Sequence, residues 1–112
     1  MGQLVAVIAN EPRSYREAIG IALRKLRPNF EVVIVEPGAL DLEIERLAPQ
    51  MVICSRLTYA VETGCLAWVE LYPEQDSLAR VSVEGKSSTI IGIELVDILS
   101  IVDRTESLAA AD

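Results

Sequence analysis

The side chains that could do chemistry in this sequence gather at three places. Asn10 and Glu11 follow the apolar run LVAVIA, Ser55 follows the apolar run MVIC, and Lys86 sits in the polar stretch Gly85-Lys86-Ser87-Ser88. The carboxyl ends of neighbouring parallel strands converge on the ligand crevice of an open α/β sheet. Asn10, Glu11 and Ser55 would share such a crevice, which could take a small ligand or hold a phosphorylated Ser55. The competing account is a vestigial pocket filled by its own hydrogen-bonded polar side chains.

Other candidates fail on chemistry. Cys54 lies in an apolar run and reads as a small buried hydrophobe, whereas Cys65 reads as partly exposed. The chain contains no His to activate either thiol or to complete a zinc site, so no metal and no cofactor is expected. Asp41, Glu43 and Glu45 sit early in a short helix, where they favour the N-terminal dipole and solubility. The first glycine of a phosphate-binding loop around Gly85-Lys86-Ser87 would have to be residue 80, which is Arg80.

The elements that position these residues alternate strand and helix. LVAVIA (4–9), FEVVIV (30–35) and MVIC (51–54) are unbroken apolar runs, as expected of strands covered on both faces. Between the first two, Ser14 and Glu17 form a capping box. Tyr15, Ala18, Ile19, Ala22, Leu23 and Leu26 then recur at helical spacing, with Arg16, Arg24 and Lys25 on the opposite face. Asp41 caps a second, short helix carrying Leu42, Ile44 and Leu47. The spacing argues for a parallel β1-α1-β2-α2-β3 unit. Residues 56–66 allow one or two helical turns. LAWVELY (66–72) and LARVSV (78–83), joined across Pro73-Glu74-Gln75-Asp76, form an antiparallel β4-β5 hairpin. Residues 85–88 make a second turn, a final helix runs over about 94–104, and the residues after 105 form a frayed tail. One α/β domain thus spans residues 1–105.

VAVIANEPRSYREAIGIALRKL, PNFEVVIVEP and PQMVICSRL resemble the opening of a response-regulator receiver domain, over about the first 57 residues. The resemblance implies a three-layer, flavodoxin-like sheet and a role in signal transduction. It assigns the metal-binding acidic pair to Ala9 and Asn10, and the phospho-acceptor aspartate to Ser55. Mg²⁺ binding needs hard oxygen ligands, chiefly carboxylates. Ala9 offers none, Asn10 offers a neutral carbonyl, and Ser55 cannot form an acyl phosphate. Lys86 is the one candidate for the family's lysine. The expectation is a pseudo-receiver without enzymatic activity.

Function then shifts to surfaces. Ile91, Leu95, Ile98 and Val102 recur at spacings of four, three and four, and with Leu99 and other apolar neighbours they cover more than one helical stripe. Receivers commonly pair through this region, so the resemblance points to an interface made of Ile91, Leu95, Ile98, Leu99 and Val102, holding a homodimer or another protein partner. Deep burial over a sheet lacking its fourth helix would explain the same residues. A net charge of −7 argues against nucleic acid and anionic lipid. With no signal peptide and no apolar run of about 20 residues, a cytoplasmic protein is expected.

Overall fold

Four strands running in one direction form the centre of the protein, seen in a computed structural model that describes residues 4–71 and 78–111. They are β1 (Leu4–Ala9), β2 (Phe30–Ile34), β3 (Met51–Cys54) and β4 (Ala67–Leu71). Two more, β5 (Leu78–Val83) and β6 (Lys86–Ile91), join antiparallel and complete a six-stranded sheet of order β2-β1-β3-β4-β5-β6. The turn expected at Pro73–Asp76 lies outside the described residues.

Alternation along β1 explains the layers. Ala6 and Ile8 face one side, with α1 (Arg13–Leu26) and α4 (Leu95–Ala110) packed there through Ile19, Leu23, Ile98, Ile101 and Val102. Val7 and Ala9 face the other, under α2 (Leu40–Leu47) and α3 (Tyr59–Gly64), which contribute Leu40, Ile44 and Val61. Helices on both sides are what unbroken apolar strands require. Helix α1 lies so close to β2 that a Cβ on Gly20 would stand 2.5 Å from Ile34 Cδ1. At its far end Arg27 pairs with Asp103 at 2.6 Å, and Asn29 donates to Glu106, holding α1 beside α4. Among the described residues no helix is long and apolar enough to cross a membrane.

Several local expectations are corrected. Ser14 does not cap α1. Pro12 breaks the chain one residue before the helix, and Glu17 pairs with Arg13 instead. Arg16, expected on the solvent face, is buried. Asp41 lies inside α2, because a 3₁₀ turn at Pro37–Ala39 runs straight into the helix at Leu40. Residues 85–88 are not a turn. Glu84 and Gly85 alone make the turn, both at positive φ (54° and 81°), and Lys86 already belongs to β6. Positive φ at both central residues is the mark of the two-residue hairpin that suits twisted strands. Ile91 is consequently on a strand and not on a helix. Nor does the chain fray after 105: Thr105 is fully buried, Leu108 packs against the core, and α4 continues to Ala110.

The end of α2 carries strain that can be tested. Ala48 caps it in the left-handed region (φ 46°, ψ 57°), a conformation that costs an L-residue about 1–2 kcal/mol and glycine almost nothing. Ala48→Gly is expected to raise stability by about 1 kcal/mol in urea unfolding. A loss of stability would contradict this geometry.

Candidate functional site

Register brings the candidate residues together. Ala9 pairs with Cys54 at the carboxyl ends of β1 and β3, so Asn10 and Ser55 emerge side by side. Ser55 Oγ accepts the Glu11 N–H at 2.9 Å and lies 3.5 Å from Asn10 Nδ2. Asn10 is fully buried, and its Oδ1 has no hydrogen-bond partner among the described residues. Arg16 reaches back from α1 to donate to the Asn10 carbonyl at 3.2 Å. Next to these residues is a cleft of about 250 Å³ lined by Ala9, Glu11, Pro37, Leu40, Ser55, Arg56 and Thr58.

Lys86 is not part of this site. It pairs with Val83, which pairs with Ala67 at the start of β4, so it stands at the opposite end of the sheet. The hairpin turn at Glu84–Gly85 dictates that placement. Asn10, Glu11 and Ser55 meet, and Lys86 lines a separate groove beside α4 with Asp103 and Arg104.

One buried carboxylate holds the loop that leads away from Ser55, and no sequence motif marks it. Glu70 is 3% exposed and sits on β4 beside Cys54. Its Oε1 accepts from Arg80 Nε at 2.7 Å and its Oε2 from the Leu57 N–H at 2.9 Å. Both oxygens are engaged, which offsets much of the penalty for burying the charge. The signal was a lone Glu inside the apolar run AWVEL, with an Arg in the facing strand of the hairpin. Glu70 thereby pins the loop carrying Ser55 and Arg56. Farther along, Thr58 caps α3 by accepting the Val61 N–H and donates to Asp41, tying α3 to α2.

The proposed C-terminal interface is corrected as well. Ile98 and Val102 are 4% and 1% exposed because they fill the chain's own core, and Leu99 packs half-buried against it. Leu95 is 41% exposed at the start of α4, whereas Ile91 is 80% exposed on β6. The five do not form one surface, since the apolar surplus belongs partly to a strand and partly to a helix facing inward.

Burial, and secondarily the charge of Glu70, pushes the Cys54 thiol up to about 12, and burial pushes Cys65 to about 11. Both keep their protons at neutral pH and are poor nucleophiles there. Among the described residues no three Cys, Asp or Glu side chains cluster in a way that could hold a metal ion. Compared with protein-family models, curated proteins and solved structures, the chain finds no match in any of the three.

The thiols supply a pH test. Folded thiols hold their protons more tightly than unfolded ones, whose ordinary value is about 8.5. Their contribution to stability is complete below that value and is lost as pH rises toward 11 and 12. Native protein at pH 8 is expected to resist a disulfide thiol reagent, and urea-unfolded protein to react fully. Stability should fall above about pH 9, less steeply in Cys54→Ala. Rapid labelling of native protein would refute the assignment.

Proposed function

We propose that this chain is a receiver-like regulatory module that acts by binding protein surfaces and performs no phosphotransfer. The observation that carries the reading is the trio where the central strands end. Ala9, Asn10 and Ser55 present a methyl, an amide and a hydroxyl at the positions that the resemblance gives to the acidic pair and the phospho-acceptor. The order β2-β1-β3-β4 and the helices on both faces support a flavodoxin-like arrangement, whose strand order begins the same way. An amide brings no charge to offset Mg²⁺, and a serine hydroxyl forms no acyl phosphate. Ser55 Oγ is already engaged by the Glu11 amide, so the acceptor position serves as a structural bond.

A second reading, a small-ligand sensor, is favoured by one observation. A cleft of about 250 Å³ lined by Glu11, Ser55 and Arg56 opens at the strand ends. It lies next in the chain to Asn10, whose buried Oδ1 lacks a donor among the described residues, although Asn10 does not line the cleft. A ligand of this cleft would raise the melting temperature in proportion to its binding free energy, and Ser55→Leu would abolish the rise.

Incubation with acetyl phosphate and Mg²⁺ is expected to leave the intact mass unchanged, in the wild type and in Ser55→Ala alike. A Mg²⁺-dependent phosphoryl adduct that disappears in Ser55→Ala would overturn the non-catalytic reading.

A further inference from the structure

The two edges of the sheet are finished differently. On β2 the Val35 N–H side faces β1, donating to Ile8 O at 3.0 Å, so Phe30, Val32 and Ile34 turn their backbone groups outward. That edge is occupied. Arg24 Nη2 and Nε donate to Val32 O at 2.9 and 3.3 Å, and the Phe30 N–H donates to Arg27 O at 3.1 Å. Covering an edge in this way blocks pairing with a foreign strand.

Among the described residues strand β6 has no such cover. The Glu84 N–H donates to Leu66 O, which turns Val83, Val81 and Ala79 toward β6. These pair with Lys86, Ser88 and Ile90, leaving Ser87, Thr89 and Ile91 facing outward. Among the described residues no hydrogen bond reaches those three from outside the sheet. The ladder runs unbroken from Lys86 to Ile91, with no bulge, no proline and a single charge at its start. Such an edge is a template for another extended strand.

We infer that β6 pairs antiparallel with β6 of a second copy of this chain, about a two-fold axis through Thr89, making one continuous sheet across the two molecules. The edge itself sets that register. A two-fold axis normal to the sheet pairs residues that point to the same face. Centring it on Thr89 makes hydrogen-bonded pairs of Thr89 with Thr89 and of Ser87 with Ile91, so every outward-facing group of the strand is used. Centring it on Ser88 would set Ile91 against Gly85, which lies in the left-handed turn, and the end pair would be lost.

Side chains suit the same register. Ile91 (80% exposed in the single chain) falls opposite Ser87 and beyond it Thr89 meets Thr89, both pairs on one face, while Ile90 meets Ser88 on the other. The strand carries no carboxylate, and its one cation, Lys86, lies at opposite ends of the two paired strands, so like charges do not face each other. Each Lys86 falls opposite the second copy's Gly92, just past the end of that copy's β6, so no like charge opposes it. This deepens the interaction reading above by giving it a surface and a partner, yet fails separately. Phosphoryl labelling would overturn the non-catalytic reading and leave this dimer standing, and a monomer would do the reverse.

Sedimentation velocity of the full chain across the micromolar range is expected to show a reversible dimer. Thr89→Pro removes an outward N–H that the chain's own ladder does not use, so it should preserve the fold and weaken the dimer roughly 100-fold, the loss of two hydrogen bonds per dimer. Under mild oxidation Thr89→Cys should give a disulfide-linked dimer far faster than Ser87→Cys, because only position 89 meets itself across the axis. That second variant decides the matter even where the proline lowers stability. A monomer throughout the range, a dimer indifferent to Thr89→Pro, equal linkage at 87 and 89, or binding only to a foreign strand would each overturn the inference.

Discussion

The rest of the structure depends on the pairing of β1 with β3, two short strands buried on both faces. Ala6 with Met51 through Ala9 with Cys54 are each at most 1% exposed. Fully burying a side chain such as Ile8, Met51 or Ile53 is favourable by about 1.5–3 kcal/mol, and central strands in this condition demand helices on both sides. The same burial has a consequence at the strand ends. Asn10 emerges there fully buried, with little access to water, and must find partners within the chain. Its Nδ2 lies 3.5 Å from Ser55 Oγ and its carbonyl accepts from Arg16, while its Oδ1 has no partner among the described residues.

The parallel half was legible because its signals are local. LVAVIA, FEVVI and MVIC are bounded by Pro, Asn and Gly, and no other element type suits runs so short and so apolar. The β4-β5 hairpin was legible for the same reason. Strand β6 was not, because KSSTII begins with polar residues and its isoleucines also fit the helical spacing continued by Leu95, Ile98 and Val102. The decisive feature is Glu84-Gly85, a two-residue turn between alternating segments that lies one residue before the polar stretch 85–88. Lys86 is tied to the crevice by the resemblance alone, whereas an antiparallel β5 returns the chain to the opposite end of the sheet, and the helical spacing of the isoleucines sets Ile91 on the wrong element.

Within the crevice, Ser55 and Asn10 were found because each directly follows an apolar strand. Glu70 was missed because its partners come from other segments, the Leu57 amide and the Arg80 guanidinium. No periodicity in one stretch of sequence reports a bond between strands. Arg16 was missed for a similar reason. It lies on the helix side that looks polar, yet β1 ends there with a carbonyl to satisfy. A carboxylate is thus present near the strand ends, but it serves to hold a loop.

Under the proposed function, Ser55, which the resemblance sets at the phospho-acceptor position, serves instead as a structural hydrogen-bond acceptor. Native-state hydrogen exchange of the Glu11 amide, compared between wild type and Ser55→Ala, tests it most directly. The Glu11 amide is half-way along an exposed connection, and among the described residues its acceptor is Ser55 Oγ at 2.9 Å. The account predicts slow exchange in the wild type, roughly tenfold faster exchange in Ser55→Ala, and unchanged protection of β1 amides such as Val7. Equal exchange of the Glu11 amide in the two proteins would contradict it.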